Sequence, residues 1–257
     1  MNFATLKGLT IPEGNVQSIV IDGKTMWTKT GNSPGTNPSD DPWDAVFASI
    51  DAGTYATDYA IGDTVPLDLG SEGVVNMQIA AFDADALADG SGNAHISFVS
   101  KELLKTKHRM NPAIVTNDDG TYQEGTGTIG GWEKCEMRSY LTATVLPLIP
   151  EKVRSRIKPV IKHSDSYDLS ATAVDSDVTT DSVWVPSANE IYGVGYEQNG
   201  VLYTRLFNGN TARVKAYSNW ALRSAKNNQA FYVAGYNGAI VSVSATTDVS
   251  VALGFCT

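Results

Sequence analysis

A run that is poor in apolar residues divides the chain into two unequal parts. Residues 28–42, "TKTGNSPGTNPSDDP", hold Gly, Ser, Asn and Pro where regular structure needs apolar periodicity and backbone donors. A chain of 257 residues is long enough for a main domain of about 200 residues and a small appendage. We predict a small β module over 1–30, a linker over 31–42 and a larger domain over 43–257.

The β module contains a clear hairpin signal. The apolar runs "VQSIVI" and "KTMW" flank Asp22-Gly23, a pair that supplies the positive φ values of a tight turn.

The larger domain mixes helical and strand patterns in its first half. A helix is predicted over 41–53, with Asp41 as its cap, and strands are predicted over 64–69 and 74–85. Residues 96–104 are predicted to pass from a strand into a short helix. This alternation indicates the α+β class.

The second half continues the mixture. Helices are predicted over 131–150 and 150–160, followed by a polar loop over 162–181. Residues 182–193 are predicted to form a strand that runs into a turn, and the remainder is β-rich with many glycines.

Composition excludes several classes of partner. Lys and Arg number 19 against 28 Asp and Glu, and the net charge of -9 repels a phosphate backbone, so no nucleic-acid partner is expected. No apolar run approaches the roughly 20 residues that cross a bilayer, so membrane insertion is not expected. The N-terminus lacks the zones of a signal peptide.

Titratable and sulfur-containing residues show no catalytic spacing. Cys135 and Cys256 favour buried free thiols, with a long-range disulfide and a reactive nucleophile as alternatives. His95, His108 and His163 lie far apart and are predicted to be surface or loop residues.

One acidic segment and one glycine-rich segment partly match ligand-binding motifs, but each lacks residues that its motif requires. Asp83, Asp85 and Asp89 lack the further ligands of a calcium loop and are predicted to form a solvated turn. The run "GTGTIGG" over 125–131 lacks the Lys and Ser/Thr of a phosphate loop and is predicted to be a flexible loop. We therefore predict no catalytic residue, metal site or cofactor.

The segment "AKNNQAFYVAGYNGAIVSVSA", residues 225–245, is typical of a hairpin with an almost uncharged surface. Asn237-Gly238 supplies a tight turn. Alternation then predicts two faces, with Phe231, Val233 and Ile240 on one and Tyr232, Ala234, Val241 and Val243 on the other.

Three stretches together resemble one family of proteins. They are 130–162, which holds "GGWEKCEMRSYL", then "SVWVPSANEIYG" over 182–193, and 218–256, which begins "SNWALRS". In this order they resemble the C-type-lectin-fold ligand-binding proteins of phages and prophages, including variable proteins diversified by retroelements. The phage major tropism determinant is a distant relative of that family. The N-terminal "LKGLTIPEG" is similar to short modules at the start of phage virion proteins.

The resemblance implies a fold and a site. The fold is α+β, C-type-lectin-like, of the formylglycine-generating-enzyme type, with Trp220, Leu222 and Phe255 in its core. The variable C-terminal region covers about 217–246. Its ligand-binding face is implied to consist of Tyr217, Asn219, Ala221, Asn227, Asn228, Gln229, Tyr232, Ala234, Tyr236, Asn237, Ala239, Val241 and Val243.

The resemblance also implies a function. The chain is expected to be a tail-associated virion protein, made in the bacterial cytoplasm, that recognises a host cell-surface protein or glycan. Its N-terminal module would contact other virion proteins. The alternative is a structural tail or decoration protein that uses the same face for subunit contacts in a homo-oligomer.

Two departures from the wider fold family bear on chemistry. Neither Glu-Pro-Asn nor Gln-Pro-Asp occurs in the chain, so calcium-mediated sugar binding is not expected. Cys135 and Cys256 lie outside any motif that matches the copper site of the formylglycine-generating enzymes, so an enzyme is not expected. Descent from that enzyme fold remains a third possibility.

Overall fold

The computed structural model describes residues 41–167, 173–194 and 201–257, together with strands β1 (Ser18–Ile21) and β2 (Lys24–Thr28). The two strands pair antiparallel with Ile21 opposite Lys24, which confirms the hairpin at Asp22-Gly23. The rest of the predicted β module and residues 31–40 of the predicted linker lie outside the described residues.

The larger domain begins with a well-capped helix, as predicted. Helix α1 (Pro42–Ala52) follows Asp41, whose Oδ1 accepts a hydrogen bond of 3.0 Å from the backbone N of Trp43. Gly53 ends it with a φ of 70°, and the short helix α2 (Tyr55–Asp58) follows. Asp41 and Pro42, the last two residues of the predicted linker, therefore cap and begin this helix.

A four-stranded antiparallel sheet packs against the main hydrophobic core. Its strands are β3 (Thr64–Asp68), β4 (Val74–Phe82), β5 (Ile96–Ser100) and the C-terminal β11 (Gly254–Cys256), in the order β11-β5-β4-β3. A 3-10 turn (Gly70–Glu72) joins β3 to β4.

The short helix predicted after β5 is absent from the described chain. Glu102 instead accepts a hydrogen bond from the backbone N of Asn76, and Lys101 N donates to Asn76 O. These contacts hold Lys101 and Glu102 beside β4.

The helix predicted over 131–150 forms only in part. Helix α3 (Glu136–Tyr140) continues as a π turn (Leu141–Val145) and a 3-10 turn (Leu146–Leu148), and α4 (Glu151–Arg154) follows. Gly130 and Gly131 have φ values of 81° and 57°, which are incompatible with a right-handed helix. The start is delayed further, to Glu136, because Cys135 is extended with a ψ of 134°.

The prediction of a polar loop over 162–181 is wrong, because a hairpin forms there. Strand β6 (Val160–Tyr167) pairs antiparallel with β7 (Ala173–Asp181). The strand pattern was hidden because its buried positions are polar, among them Lys162 and Ser164. In the predicted strand over 182–193 only Trp184 makes a β bridge, to Gly254, and helix α5 (Ala188–Tyr192) follows.

The C-terminal region is a three-stranded antiparallel sheet. After the short helix α6 (Asn210–Arg213) come β8 (Trp220–Asn227), β9 (Ala230–Ala234) and β10 (Ile240–Ser244), in the order β10-β9-β8. Both faces of this sheet are covered. Phe231 and Val233 pack into the main core, whereas Trp220 and Ala234 pack with Tyr203 in a second core.

The turn between β9 and β10 is one residue longer than predicted. Gly235 N donates to Ala239 O and Gly238 N donates to Gly235 O, both at 2.8 Å, and Gly238 has a φ of 80°. These contacts define a three-residue loop that ends in a left-handed glycine.

The longer loop changes the faces of β10. Ile240 pairs with Ala234, and Val241 pairs with Val233. Because a one-residue change of register exchanges the two faces of a strand, the predicted grouping of Ile240 with Phe231 is wrong. Val243 is the residue opposite Phe231.

The cysteines are buried and free, as favoured from the sequence. The Sγ of Cys135 lies 3.0 Å from Met110 O, and burial raises the pKa of its thiol to about 12. Among the residues that the structure describes, no helix has the length and apolar character needed to span a bilayer.

Candidate functional site

A strained turn precedes β8. Ala216 and Tyr217 have φ values of 47° and 49°, and Ser218 N donates to Lys215 O at 3.0 Å. Positive φ at both central residues is the geometry of a type I′ turn, which Asn-Gly normally occupies. Tyr217 is 82% exposed, so the turn presents an aromatic ring to solvent.

Buried contacts hold this turn in place. The Nζ of Lys215 donates to Ser100 O at 2.7 Å and to Lys101 O at 3.2 Å. Burial lowers the pKa of Lys215 to about 8. On the other side of the turn, Trp220 Nε1 donates to Arg213 O at 3.0 Å. The turn is therefore fixed at both ends.

A groove of about 350 Å³ lies between this turn and the β9–β10 loop. Tyr236, on that loop, is 61% exposed, and its backbone N donates to Asn219 Oδ1 at 2.9 Å. The groove is lined by Lys107, Tyr217, Ser218, Asn219, Tyr236, Val243, Thr247, Asp248 and Val249. It thus combines two tyrosines with polar groups and one charge of each sign.

A second hollow, of about 210 Å³, lies at the opposite end of the hairpin. Gln229, Ser244 and Thr246 line it together with residues 112–114. The adjoining β8–β9 turn rests on the predicted glycine loop, since Thr128 donates to the carbonyl oxygens of Asn227 and Asn228.

The structure changes the predicted ligand-binding face. Tyr217, Asn219, Tyr236 and Val243 come together at the groove, and Gln229 lies at the second hollow. Asn227, Asn228, Asn237, Ala239 and Val241 are exposed or half-buried.

Three predicted positions on the sheet do not form an open face. Ala221 and Ala234 are wholly buried, and Tyr232 is half-buried against the second core. Because cores cover both faces of the sheet, Ala221 and Ala234 cannot contact a ligand. The available surface consists of the loops at the ends of the strands and the edge of β10.

A buried charge network is the main feature that the sequence did not predict. Asp85, Lys162, Glu190 and Arg223 are each 1% exposed. Lys162 Nζ lies 2.5 Å from Asp85 Oδ1 and 3.0 Å from Glu190 Oε1. Arg223 makes a bidentate pair with Glu190. The prediction that Asp85 forms part of a solvated turn is therefore wrong.

Neutral hydrogen bonds complete the network. Tyr203 OH donates to Asp85 at 2.7 Å, and Ser97 Oγ donates to Asp85 at 2.5 Å. Burial by itself raises the pKa of Asp85, but the neighbouring charge of Lys162 and these hydrogen bonds bring it below its ordinary value.

The two basic and two acidic groups of the network balance each other. Burial alone lowers the pKa of Lys162, whereas the charges of Asp85 and Glu190 raise it above its ordinary value. All four groups therefore stay ionised, which suits a structural cluster better than proton transfer. One residue of the network has a signal in the sequence, because Ser187 and Glu190 have the spacing of a capping box and form one at the start of α5.

The network reaches the groove through α5. Tyr192 OH donates to Gly238 O at 2.9 Å, and the guanidinium of Arg213 lies 4.3 Å from the centre of the Tyr192 ring. Gly238 packs so closely on Asn210 that a Cβ would lie 1.9 Å from Asn210 O. Helices α5 and α6 thereby fix the loop that carries Tyr236.

No histidine is among the residues that line the groove. His95 Nδ1 is 3.1 Å from Tyr55 OH, and the ring of His108 stacks on Tyr140 with 4.2 Å between centres. His163 lies in β6, and its carbonyl oxygen accepts hydrogen bonds from Arg223. Within the described ranges no three His, Cys, Asp or Glu side chains form a group that could hold a metal ion.

Comparison with known proteins gives one match. A family model described as a domain of unknown function (DUF6273) matches residues 99–254, which is more than half of the chain. The matched range contains the groove, β8–β10 and all of the charge network except Asp85 and its neutral partner Ser97. No curated protein and no solved structure matches the chain.

Proposed function

We propose, from the premise that this chain belongs to the DUF6273 family, that it is a binding protein and not an enzyme. Its ligand would lie on the surface of a bacterial host, and a phage or prophage virion would carry the chain. The C-type-lectin-like fold is part of the proposal. It is supported by the α+β architecture and by the burial of Trp220, Leu222 and Phe255.

The exposure of Tyr217 on a strained turn carries the proposal. An L-residue in the left-handed region costs roughly 1–2 kcal/mol, and Ala216 and Tyr217 both lie there. Such strain persists where the surrounding structure enforces it, and it concentrates at functional sites. Here the enforced conformation serves no packing purpose for the Tyr217 ring, which points into solvent.

The groove has the composition of a recognition surface. Tyrosine offers a large rigid contact area at low entropic cost, and asparagine offers adaptable hydrogen bonding. Tyr217, Tyr236 and Asn219 supply these features within one groove. Binding would follow from several modest contacts with the two tyrosines as anchors.

The virion role extends to the N-terminal module. Residues 1–30 would attach the chain to other virion proteins, and residues 43–257 would present the groove. In the alternative role, as a structural tail or decoration protein, the same groove would be buried between copies of the chain.

The test is a double substitution, Tyr217→Ala with Tyr236→Ala. Fluorescently labelled protein would be titrated onto intact cells of a panel of bacterial strains and measured by flow cytometry. Loss of two anchors should weaken binding at least tenfold. The matched control is Val178→Ala with Leu202→Ala, which truncates apolar side chains that are 54% and 52% exposed outside the groove.

Equal binding by the double tyrosine variant and the control would refute the groove as the binding site. A stable oligomer that the tyrosine substitutions dissociate, seen by sedimentation, would support the structural alternative instead.

A further inference from the structure

Strand β10 is the outermost strand of its sheet, and its hydrogen-bonding direction can be assigned. Gly235 N donates to Ala239 O, and Ala245 N donates to Gln229 O. Backbone groups of an antiparallel strand alternate between its two sides. The odd-numbered residues from 239 to 245 therefore bond towards β9, and Ile240 and Ser242 direct their N–H and C=O groups away from it.

These outward groups have no backbone partner among the described residues. β10 pairs only with β9 there, and the nearest outward carbonyl, that of Ser244, accepts from Thr247 N at 3.0 Å. Two consecutive outward positions, Ile240 and Ser242, thus offer two donors and two acceptors to a further strand.

The edge also lacks the usual protection against pairing. Proteins block edge strands with inward charges, prolines or bulges. The sequence of β10, "IVSVS", contains no charge and no proline, and its pairing with β9 is regular throughout. Charged side chains lie beside the strand and not in it: Lys226 Nζ is 3.3 Å from Ser242 Oγ on one face of the sheet, and Lys107 and Asp248 line the groove with Val243.

We propose that the ligand is a polypeptide and that an extended segment of it adds to β10 as a fourth strand. This inference rests on the proposed function and narrows the ligand to a protein. In an extended polypeptide, every second residue turns its N–H and C=O groups to the same side, which matches the spacing of Ile240 and Ser242. A glycan has no such repeat of donors and acceptors. Side chains on one face of the added strand would reach Val243 and the groove beside it.

A second copy of the chain fits this edge less well. Two β10 strands paired about Ser242 would use the same few hydrogen bonds and would leave the groove unfilled. A stable interface buries about 1,200–2,000 Å². A five-residue strand supplies only a small part of that area, whereas a foreign segment also gains the contacts of Tyr217 and Tyr236.

The test is Ser242→Pro, with Ser242→Ala as its matched control. Proline removes the outward N–H without breaking a bond to β9, and prolines are accepted at such edge positions. Alanine removes only the hydroxyl. The probe is a displayed library of random 12-residue peptides, selected on the unaltered protein, and individual selected peptides would then be titrated.

We expect Ser242→Pro to weaken the selected peptides at least tenfold and Ser242→Ala to weaken them less than twofold. Binding should also slow hydrogen exchange at the amides of Ile240 and Ser242. As a measurement independent of any variant's folding, N-methylation of alternate peptide bonds in the ligand should abolish its binding to the unaltered protein.

The proposal is overturned if no peptide is enriched, or if Ser242→Pro and Ser242→Ala bind the peptides equally. A dimer of the unaltered protein that Ser242→Pro dissociates would also overturn it, because a second copy would then occupy the edge. On intact cells, binding lost with the tyrosine variant but kept with Ser242→Pro would refute strand addition and retain the proposed function. Binding kept by both variants would refute both.

Discussion

Arg223 donates two parallel hydrogen bonds to Glu190, from Nη1 to Oε2 at 2.7 Å and from Nη2 to Oε1 at 2.8 Å. Each side chain is 1% exposed. Removing one partner of a buried ion pair typically costs about 3–5 kcal/mol, because the other charge stays buried. Arg223→Met should therefore lower the free energy of unfolding by an amount in this range, measured by urea denaturation.

The exposed pair of Arg154 and Glu151 provides the control for Arg223. Arg154→Met should change the unfolding free energy by less than about 1 kcal/mol, because surface pairs contribute little. Similar losses in the two variants would show that the buried network does not stabilise the fold as described.

Lys215 should make stability rise with pH. Burial lowers its pKa from 10.5 to about 8 in the folded chain. Between those values the unfolded chain binds more protons than the folded chain, so the unfolding free energy increases as pH rises. The difference of pKa corresponds to a contribution on the order of 3 kcal/mol.

Lys215→Met should remove this contribution, so its unfolding free energy should rise less than that of the unaltered protein between pH 8 and pH 10.5. Lys226→Met, at an exposed position, should keep the full rise. Parallel pH profiles for the unaltered protein and Lys215→Met would contradict the assignment.

The same substitution should have opposite effects at two alanines. Ala216 has a φ of 47°, which glycine adopts without strain, so Ala216→Gly should raise the unfolding free energy by up to about 1 kcal/mol. Ala212 lies in α6, where glycine is unfavourable, and Ala212→Gly should lower it by roughly 0.5–1 kcal/mol. Thermal or urea unfolding measures both. Destabilisation by Ala216→Gly would show that the turn is not strained.

Alanine substitutions at two glycines distinguish the cost of backbone strain from the cost of a steric clash. Gly209 and Gly238 have φ values of 84° and 80°, but a Cβ at Gly209 would meet nothing within 4 Å, whereas one at Gly238 would meet Asn210. Gly209 has a ψ of 167°, a combination essentially restricted to glycine, so Gly209→Ala should cost about 1–3 kcal/mol from strain alone. Gly238→Ala should cost more and should weaken ligand binding, since the loop with Tyr236 must move. Equal losses of stability would mean that the contact with Asn210 yields easily.

Local signals in the sequence identify elements that local chemistry forms. The cap at Asp41, the pairing of the strands that flank Asp22-Gly23 and the burial of both cysteines follow from adjacent residues or from residue type, and each is present. Strand β6 escaped prediction because its interior positions, Lys162 among them, are polar. Their partners lie far away in the sequence, and no local pattern reports them.

The candidate site shows the same division. Tyr217 and Tyr236 were predicted as ligand contacts and prove to be exposed at one groove. Ala221 and Ala234 were predicted beside them but are buried, because alternation cannot show that a second core covers the far side of the sheet. The strain at Ala216 is likewise invisible in the sequence, since alanine carries no turn signal.

The length of the loop between β9 and β10 limits how this surface can diversify. Substitutions at Tyr236 or Asn237 change what a partner meets while Gly238 keeps the turn. Deleting a single loop residue would instead exchange the inner and outer backbone groups of β10 and turn Val241 and Val243 over. The identity of these loop residues can therefore change without altering β10, whereas a change in their number by one would reverse the two sides of the strand.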